Sequence, residues 1–173
     1  MRIGSWGKAL GLWAGMVPAL GLAADAGQAA LVERVIAVED ACQRQALVAG
    51  VLQDLASNGH QLALASRPTD QALATFAWQQ HLFHVYAGLA EQWPVAQWSR
   101  QGVQLAGGVH RGALDWEVAR PDLLAWQQRR AQLTVPTPGC EARPARAVRR
   151  LRADLVGWIR RAAAYKAVHE TLQ

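Results

Sequence analysis

The sequence is poor in the residues and motifs that define many cofactor and catalytic sites. Its 173 residues include two cysteines and two methionines, and both methionines fall at the start of the chain, at Met1 and Met16. It contains no Cys-x-x-Cys-His haem motif, no His-Glu-x-x-His zinc motif, no phosphate-binding loop and no Gly-x-Ser-x-Gly nucleophile elbow. These absences exclude the protein classes that the motifs define, and we expect no bound cofactor.

The first 26 residues have the pattern of a secretory signal peptide. Arg2 and Lys8 make the start basic, residues 9–22 are an apolar run, and Ala24-Asp25-Ala26 has the small residues of a cleavage site. The run is shorter than the roughly 20 residues that a membrane-spanning helix needs, so an uncleaved anchor is the less favoured alternative. We predict cleavage after this triplet and a single mature domain over 27–173. The arginine- and alanine-rich composition is typical of a GC-rich bacterial genome, which predicts a periplasmic protein or, as the alternative, a secreted one.

Both cysteines, Cys42 and Cys140, lie in the predicted mature chain. In an oxidising compartment an isolated pair most often forms a disulfide. We predict that this bond ties the first mature helix to the start of the last one. The alternative is a pair of buried free thiols.

Residues 71–90 contain no formal charge. Apolar groups fall on nearly every side of a helix through this segment, which predicts a helix buried at the centre of a bundle. Its three glutamines and two histidines would be costly in lipid, so the segment is not expected to span a membrane. Pro68, Thr69 and Asp70 stand just before it and are typical of a helix start.

The rest of the mature chain is predicted to form further helices around this central one. The first helix covers Gly27 to Ser57 and stops at Asn58-Gly59, and a connection from Gln61 to Arg67 leads to the central helix, which is the second. The third helix begins at Pro94 and ends at Gly107-Gly108, and an irregular loop from Val109 to Val118 separates it from the fourth helix, Pro121 to Gln132. A proline-rich linker covers Val135 to Gly139, and the last helix runs from Pro144 to Leu172. The sequence therefore predicts an all-α bundle of four or five helices with one irregular loop, stapled by the disulfide.

Positive charge is concentrated in the last helix. Residues 27–142 carry eight arginines against ten acids, whereas residues 143–173 carry seven arginines and one lysine against two acids. The apolar seam of this helix is predicted to run through Val148, Leu151, Leu155, Trp158, Ala162, Tyr165, His169 and Leu172. Six of these arginines fall broadly opposite the seam: Arg143, Arg146, Arg149, Arg150, Arg160 and Arg161. They predict either a solvated face or a surface that docks an acidic protein or an anionic envelope surface. Nucleic acid is not an expected partner of an exported protein, although the charge alone would allow it.

Six tryptophans lie in the mature chain, and most are expected in the core because large rings fill a bundle efficiently. Trp93, Trp98 and Trp116 lie beside a predicted junction or in the irregular loop, so we expect them to be partly exposed. Exposed tryptophan near arginine is typical of an interaction hot spot. Trp116 therefore joins the six arginines as a partner-binding candidate, and its alternative role is to anchor the loop by packing.

Two weaker patterns define the alternative functions. His81 and His84 share one helix face and are weak metal-ligand candidates, with a third ligand sought among Glu39, Asp40 and His169. The acid pairs Glu39-Asp40 and Asp115-x-Glu117 have the residue types that glycoside hydrolysis requires. We predict an exported, non-catalytic binding or accessory protein, such as an inhibitor, an immunity protein or a component of secretion or conjugation. A metal- or haem-binding bundle and a hydrolase without a linear motif are the alternatives.

Overall fold

The computed structural model describes residues 22–141 and 143–171, and within these ranges the regular secondary structure is helical, with no strand. The helices are α1 (Leu22–Ile36), α2 (Ala41–Leu64), α3 (Asp70–Leu89), α4 (Trp93–His110), α5 (Trp116–Gln128), the single-turn α6 (Arg130–Leu133) and α7 (Arg146–Thr171). The predicted all-α bundle is confirmed, with six long helices in the described part of the chain in place of four or five. Residues 1–21 of the predicted signal peptide lie outside the described residues, and residues 22–26 begin α1.

The additional helix arises because the predicted first helix is two helices. The chain leaves the helical conformation at 37–40, and α2 begins after Asp40, whose carboxylate accepts a hydrogen bond from the Gln43 N–H at 2.8 Å. An aspartate at this position satisfies an amide that the first helical turn leaves unpaired. The prediction missed this boundary because apolar periodicity continues across it, whereas the capping signal is one residue.

Glycines predicted to end two helices lie inside them. α2 continues past Asn58-Gly59, and α4 continues past Gly107-Gly108. A Cβ on Gly59 would collide with the side chain of Gln127, and a Cβ on Gly108 would lie 2.7 Å from Leu114 Cδ1. These glycines therefore allow close approach of neighbouring side chains, and the helix-stop prediction was wrong because sequence alone does not distinguish the two uses.

The irregular loop is shorter than predicted and covers residues 111–115. α5 begins at Trp116, after Asp115 accepts a hydrogen bond from the Glu117 N–H at 2.9 Å. Pro121 lies inside α5, where it removes one backbone hydrogen bond without ending the helix. The prediction placed the start at Pro121 because proline favours the first helical position, but the aspartate cap determines the boundary here.

The central position of α3 is as predicted. It packs mainly against α4 and α7 and also contacts α1 and α2, and its N-cap is Thr69, whose hydroxyl accepts a hydrogen bond from the Ala72 N–H. Among the described residues, no helix is long and apolar enough to cross a membrane.

The buried seam of α7 follows the prediction for its first half and then shifts. Leu151, Leu155 and Trp158 are buried, but Tyr165 and His169 are exposed. In the second half of α7 the residues that face the core are instead Ile159, Ala163 and Ala167. The shift follows from helix geometry, because a straight helix with 3.6 residues per turn drifts away from a strict heptad seam. The predicted end of the seam, Leu172, lies outside the described residues.

The predicted disulfide between Cys42 and Cys140 is present and joins residues 98 apart in the sequence. Gln45 lies beside it and makes two hydrogen bonds to Thr137, from its Nε2 to the hydroxyl at 2.8 Å and from the Thr137 N–H to its Oε1 at 3.0 Å. The Ala145 N–H also donates to Gln43 Oε1 at 2.8 Å. The first turns of α2 thus hold the proline-rich linker immediately before α7 begins.

Candidate docking surface

The exposed side of α7 brings the six predicted arginines together. We call this set the arginine face: Arg143 just before the helix, and Arg146, Arg149, Arg150, Arg160 and Arg161 within it, all exposed. At about 100° per residue they occupy roughly one third of the helix circumference. Ala153, Gly157 and Ala164 lie between them, so few bulky side chains cover the guanidinium groups. The face therefore consists of two cationic groups on the outside of the bundle, Arg143 to Arg150 around the start of α7 and the pair Arg160 and Arg161 further along it.

Two carboxylates beside this surface are paired with other arginines. Asp154 Oδ2 lies 2.8 Å from Arg34 Nη1, and the carboxylate of Asp54 accepts two hydrogen bonds of 2.7 Å from Arg152. Two members of the arginine face donate to backbone carbonyls, Arg149 to Pro144 and Arg160 to Asp54. Within the described ranges, no member of the face forms an ion pair with a carboxylate.

The position of the arginine face along α7 is unfavourable for the helix itself. Arg146 and Arg149 lie in the first turn, which contains no acid. The N-terminus of a helix is the positive end of its dipole, so cations there destabilise the helix by about 0.3–1 kcal/mol each. The first turns of α3 and α5 instead carry an acid, Asp70 and Glu117 respectively. Helix stability therefore does not account for the arginines at the start of α7.

A neighbouring ion pair fixes α7 against α2. Arg152 reaches across Gly50, where a Cβ would lie 2.7 Å from the arginine Cδ, and binds both carboxylate oxygens of Asp54. These hydrogen bonds from the guanidinium hold the pKa of Asp54 below its ordinary value of 3.8. This ion pair was not predicted from the sequence. The one sequence feature that points to it is Gly50 inside a helix, which leaves room for the arginine side chain.

Replacing Asp54 with asparagine is expected to lower the free energy of unfolding by about 1 kcal/mol at neutral pH, because the pair is bidentate but partly solvated. A carboxylate whose pKa is lower in the folded state stabilises the fold above its unfolded pKa. This contribution is lost as the pH falls through the folded pKa. The difference between the wild type and Asp54→Asn should therefore narrow as denaturant titrations are repeated from pH 5 downwards.

The matched control is Asp154→Asn, which breaks the more exposed pair with Arg34 and should cost less than about 0.5 kcal/mol. Equal losses in the two variants at neutral pH would contradict the anchoring role of Asp54.

Trp116 is not an exposed hot-spot residue. Its side chain is 8% exposed, and its Nε1–H donates to the Ser66 carbonyl at 3.0 Å. The expectation of exposure was wrong for this residue and for Trp98, which is also buried, whereas Trp93 is exposed as expected. Trp116 thus ties the end of the irregular loop to the loop that precedes α3, in line with the alternative that it anchors the irregular loop by packing.

The two histidine candidates do not meet a third ligand. His84 is half-buried and its Nδ1 lies 2.7 Å from the Ala96 carbonyl oxygen, while the His81 ring lies edge-on to Trp78. Partial desolvation of the ring, with smaller contributions from the charges of His84 and Lys166, lowers the pKa of His81. No group of three or more histidine, cysteine or acidic side chains that could hold a metal occurs in the residues that the structure describes.

One acid of each predicted pair has a structural role. Asp40 caps α2 and Asp115 caps α5, each through its carboxylate and a backbone N–H.

Comparison with known proteins adds no relative, since the chain matches no protein-family model and neither a curated protein nor a solved structure is significantly similar to it. The arginine face is therefore the candidate site with the most specific geometry.

Proposed function

We propose that this protein is an exported, non-catalytic binding protein that docks an acidic partner protein through the arginine face. The proposal is carried by one observation, the concentration of exposed arginines at the start of α7 with no carboxylate partner in the described part of the chain. Such arginines at the start of α7 weaken the helix that bears them. A partner that supplies carboxylates would offset this cost.

Arginine is suited to this role because its planar guanidinium binds a carboxylate through two parallel hydrogen bonds. It is also enriched among residues that dominate interface energetics. The disulfide and the Arg152–Asp54 pair hold α7 on α2, so the face is fixed before a partner arrives. A fixed surface loses less conformational entropy on binding than a flexible one.

Export is supported by two independent features. The first 26 residues have the signal-peptide pattern, and the Cys42–Cys140 disulfide is of a kind that persists in oxidising compartments. We therefore place the acidic partner in the periplasm or, if the protein is secreted, outside the cell.

The test is an affinity capture from periplasmic extract with the wild type and the variant Arg146→Glu/Arg149→Glu/Arg150→Glu. We expect the variant to lose capture of an acidic protein by at least about tenfold, since several charge-assisted contacts become repulsive. Its melting temperature should stay unchanged or rise, because glutamate suits the positive end of a helix dipole. Circular dichroism measures both the fold and the melting temperature.

The matched control is Arg100→Glu/Arg111→Glu/Arg129→Glu, which changes the net charge equally through exposed arginines elsewhere on the bundle. Capture that survives in the arginine-face variant, or that is lost equally in both variants, would remove the proposal. Sedimentation of the protein with phosphatidylglycerol vesicles, without capture of any protein, would replace the protein partner with a lipid surface.

A further inference from the structure

A cleft of about 740 Å³ opens between the C-terminal half of α2, the N-terminal half of α3 and the middle of α7. Its volume is in the range of pockets that hold drug-sized ligands. Two arginines line it, Arg67 from the loop before α3 and Arg160 from α7, and no acidic residue does. Its net charge is therefore positive.

The charge of Arg160 is partly compensated by the Asp54 carboxylate, which binds mainly to Arg152. Arg160 donates one hydrogen bond to the backbone carbonyl of Asp54, which leaves its other N–H groups available. Arg67 is exposed and forms no ion pair within residues 22–141 and 143–171. Arg160 also belongs to the arginine face, so the cleft adjoins that face.

Uncharged hydrogen-bonding groups line the rest of the cleft. Gln79 is 4% exposed, and its Oε1 accepts a hydrogen bond from Asn58 Nδ2 at 2.9 Å. Gln79 also lines the cleft, so its amide group lies at the cleft wall. Gln61 and Thr75 add further donors and acceptors. Amide side chains can both donate to and accept from peptide groups, so this lining suits a polypeptide segment.

We propose that the cleft receives an extended acidic segment of the docked partner. One carboxylate of the segment binds Arg160 and Arg67, and its peptide groups bind the side-chain amides, including that of Gln79. Phe76 and Leu62 contribute apolar contact to the segment. This inference rests on the proposed function, because it assigns to the acidic partner the feature that enters the bundle beside the arginine face.

The test uses a fluorescein-labelled hexaglutamate peptide and the purified full-length chain, with fluorescence anisotropy at low and moderate salt. Arg67→Gln should weaken binding by about tenfold, the effect of losing one charge-assisted contact. Arg100→Gln removes the same charge from an exposed position on α4, outside both the cleft and the arginine face, and should weaken binding by less than about twofold. Thr75→Val leaves the charge unchanged and should weaken binding by about threefold through its lost hydroxyl. A labelled hexaglutamine peptide should not bind.

Equal losses in Arg67→Gln and Arg100→Gln would show attraction to charge alone and overturn the proposal. So would full displacement of the peptide by inorganic polyphosphate combined with no effect of Thr75→Val, because the ligand would then be a generic anion. Melting temperatures of the variants report whether the fold is retained.

The cleft and the arginine face can fail separately. If the Glu triple variant loses partner capture while Arg67→Gln and Thr75→Val bind hexaglutamate like the wild type, the cleft assignment is overturned and docking stands. If hexaglutamate binding depends on Arg67 and Thr75 while the triple variant retains capture, docking through the arginine face is overturned and the cleft is supported as a site for acidic peptides.

Discussion

Replacement of Trp126 by alanine is expected to lower the free energy of unfolding by about 3–5 kcal/mol. The Trp126 side chain is fully buried and stacks on Trp98 with ring centroids 3.9 Å apart and ring planes 9° apart. Phe76 contacts its ring edge-on at 5.7 Å. The two tryptophans also exchange hydrogen bonds, since each Nε1–H donates to the backbone carbonyl of the other, at 2.7 and 2.9 Å. The substitution therefore removes packing and one buried hydrogen bond.

Chemical denaturation monitored by far-ultraviolet circular dichroism measures this loss, and Trp93→Ala is the matched control. Trp93 is 58% exposed, so its removal should cost less than about 1 kcal/mol. Trp126→Phe keeps an aromatic ring but loses the N–H, and should fall between the two. Similar stabilities of Trp126→Ala and Trp93→Ala would contradict the central role of the stacked pair.

Removal of the disulfide, by Cys42→Ser/Cys140→Ser, should lower the free energy of unfolding by about 4–5 kcal/mol in the chain-entropy treatment. The reason is the length of the loop that the bond closes, because its two cysteines are 98 residues apart. For a domain whose total stability is of order 5–15 kcal/mol, this loss would leave a substantial unfolded fraction at elevated temperature. Denaturation under oxidising conditions compares the variant with the wild type.

The variant Gln45→Ala distinguishes the stabilisation that comes from the disulfide from the stabilisation that comes from the hydrogen bonds of the linker. This variant removes two hydrogen bonds between α2 and Thr137 but leaves the covalent loop closed, so it should cost about 1 kcal/mol. A serine variant no less stable than Gln45→Ala would show that the bond contributes little beyond local docking of the linker.

Local signals in the sequence were sufficient for the central helix, the last helix and the disulfide. Residues 71–90 lack charge, α7 has clear apolar periodicity, and Cys42 has Cys140 as its one possible intramolecular partner. Helix boundaries were less predictable, because Gly59 and Pro121 are compatible with both a helix end and a helix interior. The neighbouring side chains decide between these uses, and they come from distant parts of the chain.

The arginine face was predictable for the same local reason, since the arginines alternate with apolar residues at helical spacing. The tertiary contacts around the face could not be predicted in this way. Arg152 pairs with a residue 98 positions earlier, and the tryptophan pair joins α4 to α5 across 28 positions. The cleft likewise depends on how α2, α3 and α7 meet. Such tertiary contacts leave no periodic pattern in a single sequence.

The docking role of the arginine face is tested most directly by photo-crosslinking from position 153. Ala153 is exposed between the arginines of α7, and a benzoylphenylalanine there would lie against any partner bound to the face. The same group at Ala125, which is exposed on α5, is the control. We predict a crosslink to one acidic protein from position 153, none from position 125, and loss of the crosslink in the Arg146→Glu/Arg149→Glu/Arg150→Glu background. No crosslink from position 153, or equal crosslinking from both positions, would contradict docking through the arginine face.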